Sequence, residues 1–133
     1  MKTLPIFVYG TLKRGERNQS IWPDRNPIVR IATLENASLY DYGPYPCMVD
    51  GDEIVGGELW AVRKQWYPAT IEALDRLEGY QPDGDSLYIR RVVSCQTATG
   101  NIEAYAYFFN LPLTDEYQKL APDENGIVSW NGK

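Results

Sequence analysis

The chain has 133 residues, 18 acidic against 13 basic side chains, a net charge of −5 and no histidine. Its length fits one domain with a real core, and 44% apolar with 23% charged residues is ordinary globular composition. The acidic balance disfavours a phosphate-backbone partner, no apolar run approaches the roughly 20 residues of a membrane span, and the missing histidine removes Ser-His-Asp and Cys-His engines and His-ligated zinc.

Leu4 to Tyr9 is a compact apolar run that stops at Gly10 and reads as a buried strand entering a turn. The run is too short for a secretory segment, so the expected compartment is the cytoplasm. Thr11 to Asn18 is polar and reads as a loop, and Asn18 to Trp22 fits a short helical turn. Lys13, Arg14 and Arg17, interrupted by Glu16, read as a solvated basic cluster, with attraction of an anionic substrate as the alternative. Val29 to Leu34 and Ala37 to Tyr40 fit short strands, and Tyr42-Gly43-Pro44-Tyr45-Pro46 is dense in turn residues. Ile54 to Val62 reads as the next strand, where Gly56-Gly57 marks a bulge or a close backbone approach. Tyr67-Pro68 opens the clearest helix, since proline is favoured early in a helix, and Gly79 closes it as a left-handed cap. Tyr88 to Cys95 and Ile102 to Phe109 form a hairpin about Thr99-Gly100-Asn101. The tail is punctuated by proline and fits one helical turn from Thr114. Cys47 and Cys95 sit in apolar surroundings and read as buried free thiols. No repeat or linker interrupts the order, so residues 1–133 read as one α+β domain. It has one main helix, short additional helical turns and a curled or closed sheet.

At about 3.6 residues per turn, Ile71, Leu74 and Leu77 share the core-facing side of the helix, while Glu72, Asp75 and Arg76 turn toward water. Glu78 follows Leu74 at i+4 and Ile71 at i+7, so it projects from the apolar side. Burial and the negative end of the helix dipole both favour a protonated carboxyl there. A pKa raised in this way suits proton transfer near neutral pH. Two alternatives remain on the pattern alone: Glu78 folds back to water at the helix end, or it pairs with Arg90 or Arg91. The turn after the first strand offers consecutive N–H groups that form a concave anion site, or is simply a turn. Its glycine spacing is not that of a phosphate loop.

Three blocks carry a resemblance. They are Tyr9-Gly10-Thr11-Leu12-Lys13-Arg14-Gly15, then Gly57-Glu58-Leu59-Trp60-Ala61-Val62, then Leu74-Asp75-Arg76-Leu77-Glu78-Gly79-Tyr80 followed by Tyr88-Ile89-Arg90-Arg91. In order and spacing they resemble the γ-glutamylcyclotransferase-like family, which includes γ-glutamylamine cyclotransferases and AIG2-like proteins, over residues 5–110. The resemblance implies a small mixed β-barrel with helices packed on it, no cofactor, and release of 5-oxoproline from γ-glutamyl compounds. It implies Glu78 as the acid–base residue and Tyr9, Gly10, Thr11 and Leu12 as the substrate loop. Tyr45 and Pro46 correspond to a further pocket segment, and Tyr88 and Arg90 to a Tyr-x-Arg element of the substrate site. Two features depart from the family: Gln81 to Leu87 is longer than in many relatives, and Asn18-Gln19 replaces a bulkier pair. The expected partner is a small γ-glutamyl substrate, not nucleic acid or membrane. The rival reading is a binding or regulatory module that recognises an amine ligand in the same pocket without turnover. Thiol chemistry at Cys47 would need a nearby cation.

Overall fold

Ile6, Phe7 and Val8 are all buried, because the strand they form, β1 (Ile6–Val8), is covered on both faces. A computed structural model describes residues 3–41, 45–80 and 86–130. Tyr42 to Pro44 of the expected turn-rich loop, and residues 81–85 of the long Gln81–Leu87 stretch, lie outside the described residues. The other strands are β2 (Ile28–Asp41), β3 (Pro46–Ala61), β4 (Tyr88–Thr97), β5 (Gly100–Phe109), β6 (Gln118–Lys119) and β7 (Ile127–Val128), with one α-helix, α1 (Tyr67–Glu78). Single 3₁₀ turns occupy Gln19–Ile21, as the sequence predicts, and Lys64–Trp66.

The strand order β2-β4-β5-β1-β3 closes because β3 also pairs with β2. The result is a five-stranded barrel, mixed because β1 runs parallel to β5 while its pairing with β3 is antiparallel. The expected mixed barrel with one main helix is therefore the observed fold. Closure removes the open edges that a curled sheet would expose.

The two short strands expected between Val29 and Tyr40 are one long strand. β2 pairs with β3 from Ile28↔Ala61 to Asp41↔Pro46, and the ladder shifts register about Ala37, next to Asn36 at a left-handed φ of 60°. Asparagine tolerates that conformation, and a bulge bends a strand without ending it. The first half of β3 precedes the strand expected from Ile54 and is drawn into the same ladder. β6 adds to β2 and β7 to β3, each through two residues too short to show any periodicity.

Alternation sorts the side chains into two cores. Phe7, Ala104, Ala106 and Phe108 pack in one cluster with Leu34 and Leu59. Ile6, Val8, Tyr107 and Phe109 pack in the other against α1 through Ile71 and Leu74. Small side chains at Ala104 and Ala106 suit the narrow interior of a five-stranded barrel. Helix α1 buries Tyr67, Thr70, Ile71 and Leu74. Leu77, expected on the core side, is 36% exposed because the stripe runs on from Leu74 toward Glu78 and leaves Leu77 at its edge. Asp75, expected toward water, is instead tied down by Arg90 and Tyr107. Gly79 has φ 67°, its N–H bonds to Arg76 O, and Tyr80 N–H reaches Asp75 O at 2.9 Å. These bonds form a Schellman cap.

Gly57 makes the closest approach to backbone in the barrel wall: a Cβ there would stand 2.4 Å from Val8 O and 2.8 Å from the Phe7 ring. The Gly57→Ala variant is expected to lose on the order of 3 kcal/mol, the upper range of overpacking, because a backbone atom cannot rotate away. A lowered urea midpoint with an unchanged m value is the check.

Candidate active site

The end of β1, the start of β3, the last residue of α1 and two strand tyrosines meet around one recess. Its empty space is about 390 Å³, the open mouth included. Every sequence-predicted site residue except Arg90 lines it: Tyr9, Gly10, Thr11, Leu12, Tyr45, Pro46, Glu78 and Tyr88. Phe7, Val8 and Tyr107 also line it. Tyr107 was not read from the sequence. The available signal was its alternate position in β5 with Tyr105 and Phe109, which puts all three rings on the helix side.

The loop is built so that its carbonyls are satisfied by the protein. Gly10 O accepts Lys13 N–H at 3.1 Å, Thr11 O accepts Asn18 N–H at 2.9 Å, and Leu12 O accepts Trp22 Nε1–H at 3.0 Å. The N–H groups of Thr11 and Leu12 share peptide planes with the first two carbonyls and point the opposite way. Among the described residues nothing accepts them. Thr11 Oγ1 accepts from Asn18 Nδ2 at 2.9 Å, which leaves its own hydroxyl proton to give. Glu58 Oε1 anchors the loop by accepting Arg14 N–H at 2.8 Å and Trp60 Nε1–H at 3.0 Å. Gly10 permits the closeness of loop and β3, since a Cβ there would lie 2.6 Å from Pro46 Cγ.

Glu78 lines the same recess from the end of α1. It is half-buried, and loss of hydration pushes its carboxyl up to about 7. The ion pairs that would have made it structural go elsewhere: Arg90 pairs with Asp75, and Arg91 reaches Asp50 at 3.1 Å. Asp24 is the contrast. It is fully buried, and hydrogen bonds from Arg63 hold it well below the usual carboxylate range despite that burial. Asp24 is a satisfied anchor, whereas Glu78 has no cation beside it among the described residues.

The neighbouring groups keep their protons. Burial pushes the Tyr9 and Tyr88 phenols well above their usual value. Their hydroxyls donate to Tyr107 O at 2.7 Å and Pro46 O at 2.8 Å. Burial also raises the Cys47 thiol, with Asp41 and Glu78 adding to the rise. No cation acts on Cys47 among the described residues, so the thiol lacks the activation its chemistry needs. In the basic cluster, Lys13 Nζ donates to Trp130 O at 2.6 Å, and the Arg17 guanidinium lies 4.9 Å from the Tyr45 ring centre at the recess rim. Arg90 is not a lining residue: its guanidinium sits between the rings of Tyr80 and Tyr105.

The sequence matches the family "Gamma-glutamyl cyclotransferase, AIG2-like" over residues 6–130. The chain belongs to this family. It is 31% identical to the γ-L-glutamyl-butirosin B γ-glutamyl cyclotransferase of Niallia circulans, over 79% of this chain and 66% of that protein. It is also 31% identical to the γ-glutamylcyclotransferase family protein YtfP of Escherichia coli K12, over 77% of this chain and 80% of the other. A Vibrio cholerae relative is 37% identical over 55% of this chain and 60% of its own length, so the chain spans under two thirds of two of these relatives. The crystal structure of a mouse AIG2-like protein superimposes with a TM-score of 0.61 at 23% identity, covering 98% of this chain and 97% of the mouse chain, which supports the shared fold. No helix among the described residues is long and apolar enough to cross a membrane.

In this cyclotransferase-family chain, the raised Glu78 pKa has a signed consequence for stability. The folded carboxyl binds its proton more tightly than the unfolded one, so stability is lost as pH rises from about 4.5 to about 7. Glu78→Gln cannot titrate. Its stability relative to the parent is expected to improve through that window and to level off above it. Thermal melts at pH 4.5 and pH 8 give the comparison, and an equal difference at both would contradict the raised pKa.

Proposed function

We propose that this chain is a cyclotransferase that releases 5-oxoproline and a free amine from a γ-glutamyl-amine substrate, with residues 1–133 acting as one domain in the cytoplasm. The observation that carries the reading is a half-buried, cation-free carboxyl at Glu78, poised near pH 7 across a recess from the free Thr11 and Leu12 N–H groups.

The substrate supplies its own nucleophile, which suits a chain without histidine. Its α-amine attacks the γ-carbonyl carbon, a ring C–N bond forms, and the bond to the leaving amine breaks. Glu78 relays two protons in turn, one from the ammonium before attack and one from the ring nitrogen after it, and both end on the leaving nitrogen, which departs as an ammonium, so protons balance over the turn. The Thr11 and Leu12 N–H groups and the Thr11 hydroxyl hold either the oxyanion or the substrate's α-carboxylate. Tyr9 and Tyr88 shape the walls, since their protons are committed to backbone carbonyls. Holding the glutamyl chain curled supplies proximity, which is worth several kcal/mol when geometry is right.

The test is a panel of γ-glutamyl amines scored for 5-oxoproline: γ-glutamyl amino acids, ε-linked lysine, a diamine and an aminoglycoside. γ-L-Glutamyl-butirosin B joins the panel because the Niallia circulans relative is named for it. Binding across the panel without 5-oxoproline would assign the pocket to recognition instead. The productive complex holds one proton between Glu78 and an amine of reference pKa about 7.7–8.0. The rate should therefore rise through about 7 and fall above the amine's own pKa. Glu78→Gln should lower kcat by a factor on the order of 10² or more and abolish the acidic limb, with KM little changed. Near-normal turnover by that variant would remove Glu78 from the reaction.

A further inference from the structure

The resemblance assigns Arg90 to the substrate site, yet in the fold it does not line the recess. Arg90 and Tyr107 are directly opposed on β4 and β5, so their side chains stand together on the helix side of the sheet. Asp75 reaches down from α1 to both. One carboxylate oxygen accepts from Arg90 Nη1, and the other accepts the Tyr107 hydroxyl at 2.5 Å. The pair is largely shielded, with side-chain exposures of 13% for Arg90 and 22% for Asp75. The guanidinium is flanked by rings, 5.2 Å from the Tyr80 centre and 5.1 Å from that of Tyr105.

These contacts converge on the last turn of α1. Asp75 opens that turn, Glu78 lies within it, and Tyr80, whose N–H caps Asp75 O, follows it. The turn is therefore held from below by Asp75 and folded over Arg90 by Tyr80. Tyr107 joins the clamp directly to the recess, because it also lines the recess and its carbonyl receives the Tyr9 hydroxyl.

We infer that Arg90, with Asp75, is a positioning residue: it clamps the C-terminal turn of α1 to the β4–β5 hairpin so that Glu78 is held in the recess facing the Thr11–Leu12 N–H groups. A frayed last turn would let the Glu78 side chain swing to water. Arginine suits the task through its planar faces and forked donors, which lysine lacks. The kinetic consequences of this inference rest on the cyclotransferase reading. The placement of Glu78 does not.

The test uses Arg90→Lys and Arg90→Met in the full chain, with folding checked by circular dichroism. Lysine keeps the charge and can keep the ion pair, so it carries the test even if the methionine variant fails to fold. The first readout is the titration of carboxyl-labelled Glu78 by NMR, independent of any substrate. The midpoint near 7 is expected to fall toward an ordinary glutamate's 4.5, further in Met than in Lys. The sign is diagnostic, since loss of a distant cation would by itself raise the midpoint. The other titratable groups near Glu78 are Tyr9 just after β1, Cys47 on β3 and Tyr88 on β4, all pushed upward by burial, so none interferes near pH 7. The second readout is kinetic. A positioning loss lowers kcat about 10- to 100-fold, as for a displaced catalytic group, with KM nearly constant and lysine partly rescuing. A raised KM with kcat retained would make Arg90 a substrate contact and overturn the inference. An unshifted midpoint with unchanged kcat would reduce the clamp to a fold contact and also overturn it. Absence of 5-oxoproline from the parent would defeat the cyclotransferase reading alone, and the titration would still decide the clamp.

Discussion

The site depends on β1 being covered on both faces. Phe7 points into the barrel while Ile6 and Val8 point beneath α1, so this short strand belongs to both cores at once. It cannot shift toward either layer without opening the other, because a one-residue slip exchanges its faces. Its end is equally constrained: Gly57 admits Val8 O at a distance no larger residue allows, and Gly10 admits Pro46. The loop that follows thus leaves a rigid point, and hydrogen bonds to its carbonyls leave its N–H groups for the recess.

Three carboxylates show how environment divides labour. Asp24 is fully buried and bonded by Arg63, which makes it an anchor. Asp75 is shared between Arg90 and Tyr107 and joins helix to sheet. Glu78 has neither kind of partner among the described residues, and desolvation alone acts on it. An unpaired carboxyl in a partly dry site is a cost to the fold, and a cost retained at a recess marks the group available for chemistry. That chemistry asks little of the protein beyond a movable proton, N–H donors and a shape that curls the substrate, because the substrate carries the nucleophile.

Much of this was legible from local pattern. A helix of 3.6-residue period with Ile71 and Leu74 on one side must project Glu78 from that same side, and Gly79 must then take the left-handed cap, as it does. An apolar run ending in Gly10 had to become a buried strand entering a turn. Periodicity reports which residues of one element share a face, and that sufficed for the proton-transfer candidate and the loop across from it.

Partnership was decided only by the tertiary structure. The sequence left Glu78 free to pair with Arg90 or Arg91. Strand register decided otherwise, since opposition of Arg90 and Tyr107 across β4 and β5 set both beneath Asp75. Barrel closure likewise rests on the β2–β3 ladder, whose bulge at Asn36 keeps one strand where the local pattern shows two. The physical reason is range: propensity and amphipathicity act within a few residues, whereas ion pairing, desolvation and closure depend on which distant segments the register brings within a few ångströms.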